Sequence, residues 1–100
     1  MLTIDRQIEG ASATLALAGM LNAASAPELA ACANQIPDDV RALTVDCAKL
    51  RYTSSAGLRV ILALQTRMDE CGGTLVLKNV NGVMMEVFED TGFVDFLTIE

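Results

Sequence analysis

The 100-residue sequence contains no histidine and no tryptophan, and only 4% of its residues are aromatic. Histidine is the commonest general base and metal ligand near neutral pH, so its absence excludes a Ser-His-Asp triad. A serine–lysine pair remains open, because Lys49 precedes Ser55 by six positions. No metal-ligand cluster and no paired catalytic acids are recognisable, so an enzyme is the least supported class of protein and we expect no cofactor.

Cysteine is also scarce. Cys32, Cys47 and Cys71 make an odd count without Cys-x-x-Cys spacing, which disfavours a disulfide framework and a zinc site. We expect three reduced, buried thiols in a cytoplasmic protein. No apolar run approaches the roughly 20 residues that span a membrane, and the N-terminus lacks a signal-peptide profile. We therefore expect no membrane insertion.

Positive charge is the third scarcity. Seven lysines and arginines stand against 13 acids, which gives a net charge of −6, and the basic residues are spread along the chain. The phosphate backbone of a nucleic acid would repel such a protein. We therefore expect no direct binding to nucleic acid.

What the sequence has in quantity is aliphatic side chains. Hydrophobic residues make up 52% of the chain and the mean hydropathy is +0.40. A chain of this length and composition can bury one core, so we predict a single domain over residues 1–100. Its core must consist mainly of leucine, valine, isoleucine, alanine and methionine, because large aromatic rings are few.

Strand-like and helix-like apolar patterns alternate along the chain. Alternating residues predict a β-hairpin over 2–17 with its turn at 9–12, and Gly19 is predicted to end the second strand. The sequence Ser25-Ala-Pro-Glu has the form of a capping box and predicts the start of a first helix, which Pro37 ends. A short buried strand is predicted over 40–45.

The second half continues the alternation. Apolar residues at helical spacing predict a second helix, and another strand follows at 74–77. The stripe of that helix comprises Leu58, Ile61, Leu62 and Met68. Asn79 or Asn81 is predicted to cap a third helix that Gly92 ends, while residues 93–99 fit either a strand or a short helix. The order predicts an α/β fold in which a mixed sheet carries helices on right-handed parallel crossovers.

The turn Thr53-Ser54-Ser55-Ala-Gly57 lies between the buried strand and the second helix. Helix capping explains one hydroxyl, but three in a row exceed that need, and a glycine in a first helical turn costs up to about 1 kcal/mol relative to alanine. The turn must therefore bend sharply or allow a close approach to the backbone. Free N–H groups and the positive end of the helix dipole make it suitable for a phosphate, bound or covalently attached.

Four segments of the chain together resemble a STAS domain, and most closely the stand-alone bacterial anti-sigma factor antagonists. They are Gly19-Met-Leu-Asn-Ala-Ala-Ser-Ala-Pro, Leu50-Arg-Tyr-Thr-Ser-Ser-Ala-Gly-Leu-Arg-Val-Ile-Leu, Gly72-Gly-Thr-Leu-Val-Leu and Val87-Phe-Glu-Asp-Thr-Gly-Phe. The resemblance covers nearly the whole chain in the correct order. It implies a STAS-type mixed β-sheet of four to five strands, with an N-terminal hairpin, parallel crossovers and three to four helices.

The resemblance also implies a function. Such an antagonist binds an anti-sigma factor that is itself a serine kinase, which releases a sigma factor; the kinase phosphorylates the antagonist and a PP2C-type phosphatase reverses the modification. The serine that matches the family's phosphoacceptor is Ser55, with Ser54 as the alternative. The residues implied in partner binding are Asn22, Ser25, Thr53, Ser54, Ser55, Gly57, Leu58 and Arg59.

This chain departs from the family pattern in two segments. Asn22 stands where Gly-Glu-Leu-Asp normally supplies an acid, with Met20 in place of the glutamate, and Ser54 replaces an acid beside the phosphoacceptor. Met20 is favoured as a core residue over an exposed apolar anchor. Leu58 is favoured as a buried residue over a partner contact. Arg59 is favoured as a solvated side chain over a ligand for the phosphate or for an acidic partner.

Two alternatives to the phosphorylation switch remain. The chain could be a constitutive STAS binding module of a transporter, a secretion regulator or a signalling complex, in which the serines only cap a helix. Nucleotide binding at the same turn is weaker, because one glycine without a lysine beside it is far from a P-loop.

Overall fold

The computed structural model describes residues 2–100 and contains five strands and three α-helices. In chain order these are β1 (Leu2–Glu9), β2 (Ser12–Leu21), α1 (Ala26–Asn34), β3 (Ala42–Thr53), α2 (Ser55–Glu70), β4 (Thr74–Lys78), α3 (Gly82–Thr91) and β5 (Thr98–Ile99). A 3₁₀ turn over Phe93–Asp95 precedes β5. Residues 93–99, for which the sequence allowed either a strand or a short helix, therefore contain both.

The sheet has the strand order β1-β2-β3-β4-β5. β1 pairs with β2 in antiparallel fashion, and every later pair is parallel. All three crossovers advance in the same direction, so their right-handedness places α1, α2 and α3 on one face of the sheet. The predicted mixed sheet, with an N-terminal hairpin and parallel crossovers, is confirmed.

One aliphatic core lies between the helices and this face of the sheet. Leu15 and Val45 at the centre of the sheet have no exposed surface, and neither does Ile61 on α2. The neighbours Ala16 and Thr44, which point to the other face, are half-buried. The uncovered face of the sheet therefore carries mostly small and polar side chains.

β3 is longer than predicted, because its burial pattern changes period. The inward residues follow each other at every second position as far as Cys47, and then at every third, at Leu50 and Thr53. The β2–β3 register shifts at these two places, so β3 has two residues more than β2 over the same distance. Such bulges hide the alternation that identifies a strand. The strand predicted over 40–45 is therefore only the first half of β3.

Gly19 does not end β2, contrary to the sequence-based prediction. It lies within the strand, beside the second register shift, with a φ of 100°. Glycine adopts this backbone conformation more readily than any other residue. Gly19, which was expected to end the strand, instead marks a bulge within the β2–β3 pairing.

The helix ends confirm some of the predicted caps and correct one. The Asn81 side chain caps α3 by accepting from Met84 N at 2.8 Å, and Gly92 ends that helix with a φ of 78°. Pro27 lies in the first turn of α1 as predicted, but Ser25 makes no capping hydrogen bond there. On α2 the fully buried stripe contains Leu64 where the sequence favoured Leu62, which is half-buried.

Candidate functional site

The candidate site lies at the edge of the sheet where the parallel strands β2, β3 and β4 end. Their carboxyl ends meet at one edge, so the loop after β2 and the start of α2 are neighbours although they are far apart in sequence. Ser54 N donates to Leu21 O at 2.8 Å and joins the two segments directly. The structure thus brings Asn22 of the β2–α1 loop to the same edge as Ser54 and Ser55.

Gly57 allows α2 to pack against the ends of these two strands. A Cβ at this position would lie 2.5 Å from Leu21 Cγ and 2.6 Å from Thr53 Oγ1, which is closer than real side chains approach. Leu21 and Thr53 are both fully buried. The close approach expected from the sequence is therefore an internal one, between the helix backbone and the strand ends.

Asn22 organises the β2–α1 loop by hydrogen bonds. Its Oδ1 accepts from Ala24 N at 3.0 Å and from Ser25 N at 3.1 Å. Ser25 Oγ donates to Met20 O at 2.9 Å and accepts from Asn22 N at 2.9 Å. The predicted capping box does not form, because this hydroxyl holds the loop and not the helix. An amide oxygen fills the acceptor position here without adding negative charge.

Ser54 and Ser55 occupy different environments although they are adjacent. Ser55 is exposed and is the first residue of α2. Ser54 is the N-cap residue, but it makes no capping hydrogen bond, and its Oγ is buried without a hydrogen-bond partner among residues 2–100. The N–H groups of the first turn have no acceptor inside the helix and are not bonded by the N-cap side chain. Of these two serines, only Ser55 offers its hydroxyl to a second protein.

Four of the residues expected to bind a partner are buried. Ser25 is 4% exposed, Thr53 0% and Leu58 1%, and Gly57 is buried beneath the strand ends. In this conformation they support the loop and the start of α2, and a partner cannot reach their side chains. Of the predicted set, Ser55 and Arg59 are exposed, and Asn22 and Ser54 are half-buried.

Met20 is exposed, which makes the prediction of a core position wrong. It is 41% exposed and pairs in register with Tyr52 on β3, which is 40% exposed. Both side chains lie on the uncovered face of the sheet, close to its carboxyl edge. Tyr52 was not predicted as part of the site, because the strand expected over 40–45 ended seven residues before it.

Charged groups near the site show which basic residues are available. Arg59 makes no hydrogen bond or ion pair in the part of the chain that the structure describes. Lys49 makes no hydrogen bond with Ser55 either, so the serine–lysine pair left open by the sequence does not form. On the uncovered face, hydrogen bonds from Asn79 and from Ala48 N, with smaller effects of Lys78 and Lys49, lower the pKa of Asp46.

Comparisons with known proteins assign the family. A sequence model described as "Mlab, STAS domain" matches residues 4–98. The chain belongs to the STAS domain family. BtrV of Bordetella bronchiseptica, named as a candidate anti-sigma factor antagonist, is 36% identical over 99 residues, which cover 98% of this chain and 84% of that protein.

Solved structures agree on the fold. A Thermotoga maritima protein, described as a candidate anti-sigma factor antagonist, superposes on this STAS domain with a TM-score of 0.87 at 16% identity, covering 96% of this chain and 84% of that one. The phosphorylated form of the Bacillus cell-fate determinant SpoIIAA gives a TM-score of 0.77 at 16% identity, covering 98% of this chain and 91% of that one. At this identity the two likenesses support the STAS fold and not the function.

Residues 2–100 contain neither a membrane-spanning helix nor a metal-binding cluster. None of the helices there has the length and apolar character to cross a membrane. Nor do any three acidic or cysteine side chains of that range gather as a metal site would require.

Proposed function

We propose that this STAS domain is an anti-sigma factor antagonist controlled by phosphorylation of Ser55. The observation that carries the proposal is the contrast between the two serines at the start of α2. Ser55 is exposed at the edge of the sheet, while the Ser54 hydroxyl is buried. A kinase needs an accessible hydroxyl, so the alternative acceptor Ser54 is disfavoured.

Relatives support the antagonist role. BtrV is named as a candidate anti-sigma factor antagonist and matches nearly the whole chain. SpoIIAA, which shares the fold, exists in a phosphorylated form. The partner that we propose is an anti-sigma factor with serine kinase activity, which binds the unphosphorylated domain, and a PP2C-type phosphatase would restore that state. Catalysis belongs to these partners in the proposal, and the domain acts by binding in the cytoplasm.

The fold can carry the modification without unfolding. A phosphoserine adds about −1.5 to −2 charges at neutral pH. At the first residue of α2 that charge faces the free N–H groups and the positive end of the helix dipole, which favour an anion. A partner surface that fits a neutral hydroxyl would instead have to desolvate the phosphate. Phosphorylation should therefore weaken partner binding and leave the domain folded.

Phosphorylation itself is tested with the purified anti-sigma factor kinases of the same organism and ATP, with the modified residue located by mass spectrometry. We expect one phosphate on the wild type and on Ser54→Ala, and none on Ser55→Ala. Ser54→Ala is the matched control, because it removes a neighbouring hydroxyl that is not accessible. Phosphate on the Ser55→Ala variant would contradict the assignment.

Binding distinguishes the switch from a constitutive module. In isothermal titration with the same kinase in the absence of ATP, Ser55→Asp should weaken binding at least tenfold, and Ser55→Thr should bind like the wild type. Equal affinities of wild type and Ser55→Asp would instead favour a STAS module that bridges a transporter, a secretion regulator or a signalling complex without phosphorylation. Titration with ATP and GTP alone tests the weaker idea of nucleotide binding.

A further inference from the structure

One side of α2 connects Ser55 to a groove. Ser55, Arg59, Ala63 and Arg67 follow each other at intervals of four residues, and side chains at this spacing lie on one side of a helix. The last three of them line an open groove of about 260 Å³ between α1 and α2. The proposed phosphoacceptor therefore lies one helical turn before the groove, on the same surface.

The groove has an apolar floor with room for side chains from outside. Ala30 and Ala33 form the α1 side, and Val60 and Leu64 form part of the α2 side. Alanines let the two helices leave space between them, because their side chains are short. A groove of this kind accepts an apolar side chain of another helix or peptide.

The charge of the groove is opposite to that of the molecule. The chain has 13 acids and seven basic residues, yet the groove is lined by Arg59 and Arg67 and by no acid. Arg67 donates to Ala33 O at 2.7 Å and to Ile36 O at 2.8 Å, so its guanidinium already has internal partners. Arg59 has none in residues 2–100, and its charge is available to another molecule.

We propose that the groove between α1 and α2 is a docking site for an acidic, amphipathic helix of the anti-sigma factor. An apolar side chain of that helix would enter between the alanines, and a carboxylate would pair with Arg59. The inference rests on the proposed function for the identity of the partner. It adds the location of the contact beyond Ser55 and the chemistry of the segment that binds there.

The groove also gives phosphorylation a second route to partner release. A phosphate on Ser55 would stand four residues before Arg59, at the spacing that allows side chains on a helix to pair. An arginine paired with that phosphate no longer attracts a carboxylate of the partner. The modification would thus add a clash at the start of α2. At the same time the phosphate would pair with Arg59, whose charge would no longer be available to the partner.

The test measures binding of the full-length protein to the purified anti-sigma factor kinase without ATP. Arg59→Gln should weaken binding about tenfold and make it less sensitive to salt, whereas Lys78→Gln, which removes the same charge from the uncovered face of the sheet, should not. Ala63→Leu should weaken binding at least tenfold by filling the groove. Thr66→Leu, which adds the same side chain to an exposed position of α2 outside the groove, is its control.

A double variant tests whether the phosphate on Ser55 and the partner compete for Arg59. If Ser55→Asp acts in part through Arg59, the combined loss in Ser55→Asp/Arg59→Gln should be smaller than the product of the two single losses. Circular dichroism and thermal melts of each variant confirm that it is folded.

The outcomes separate this inference from the proposed function. Wild-type affinity in both Arg59→Gln and Ala63→Leu would overturn the docking site and leave the switch at Ser55 standing. An absence of binding by the wild type would overturn both.

Discussion

At the scale of single residues, the site depends on one missing side chain. Helix α2 reaches the strand ends only because Gly57 has no Cβ, since Leu21 and Thr53 are buried and cannot move aside freely. The sequence indicated that something approaches this backbone closely. It could not show that the approaching groups belong to the chain itself, because that contact joins segments far apart in sequence.

We expect Gly57→Ala to destabilise the protein by about 1–3 kcal/mol, the usual effect of forcing an extra carbon into a packed site. Gly82→Ala is the matched control, because a Cβ at this first residue of α3 meets nothing within 4 Å. It should stabilise the protein by about 0.4–1 kcal/mol by restricting the unfolded chain. Urea unfolding of both variants measures the difference, and equal effects would contradict the role given to Gly57.

The two N-cap residues Ser54 and Asn81 should respond differently to substitution by alanine. Asn81 accepts a hydrogen bond from Met84 N, so Asn81→Ala should cost about 0.5–2 kcal/mol. The Ser54 hydroxyl is buried and has no hydrogen-bond partner among residues 2–100, and the cost of its desolvation is therefore not compensated. Ser54→Ala removes that cost and should be neutral or stabilising. Thermal melts compare the two, and a cost at Ser54 equal to that at Asn81 would show that its hydroxyl is in fact bonded.

At the scale of elements, Arg67 supplies the side-chain hydrogen bonds that link α2 to the end of α1 and the segment after it. Arg67 on α2 donates to Ala33 O in the last turn of α1 and to Ile36 O just beyond that helix, and it lies 3.7 Å from Asp38 Oδ1. Ala33 O also accepts from Ile36 N at 3.1 Å, so the guanidinium is a second donor to that carbonyl. The sequence presented Arg67 only as part of a polar helix face. Its contacts lie 31 and 34 residues away, so no local pattern could reveal them.

Replacing this side chain should loosen the contact between the two helices. We expect Arg67→Met to cost about 1–3 kcal/mol, because two carbonyls lose charged donors, and Arg67→Lys to recover only part of that, because one ammonium cannot reproduce the planar fork. Arg59→Met changes an arginine that has no partner within residues 2–100 and should alter stability by less than about 0.5 kcal/mol. Denaturant unfolding measures all three, and equal losses at Arg67 and Arg59 would contradict this role.

The elements also show how far the sequence determined the fold. The three α-helices and the first four strands were anticipated in order, and β5 was one of two alternatives for its segment. Gly92 was predicted as a cap from local chemistry, and Asn81 as one of two candidates. The extent of β3 was not, since its two bulges replace the alternation of a strand by a spacing of three. Tyr52 was not considered because the predicted strand ended before it, and Met20 was assigned to the core from its residue type although the alternation of β2 places it outward.

At the scale of the whole molecule, Cys47 reports on the integrity of the core. Burial, with a smaller effect of Asp46, raises the pKa of this thiol to about 12 from an ordinary 9.0. Above pH 9 the unfolded chain loses the proton while the native state keeps it, so the unfolded state binds fewer protons and stability falls with rising pH. The stabilisation is complete below pH 9 and is lost as the pH approaches 12.

We therefore expect the free energy of unfolding to decline more steeply between pH 9 and 12 in the wild type than in Cys47→Ala. In native protein at pH 8, Cys32 and Cys71, which are half-buried, should react with a thiol reagent well before Cys47. Labelling of Cys47 should follow global unfolding, which mass spectrometry of partly labelled protein can verify. Rapid labelling of Cys47 in native protein would show that this part of the core opens locally.

The two bulges of β3 also bear on how such a domain can diverge. The loss of one residue from either bulge would restore ordinary pairing there, and Cys47, Leu50 and Thr53 would still point to the core. The outward residues between them can therefore change in number as well as in kind, next to the edge that carries Ser55. Insertions and deletions, which usually destroy a central strand, become a means of varying the surface beside the proposed switch.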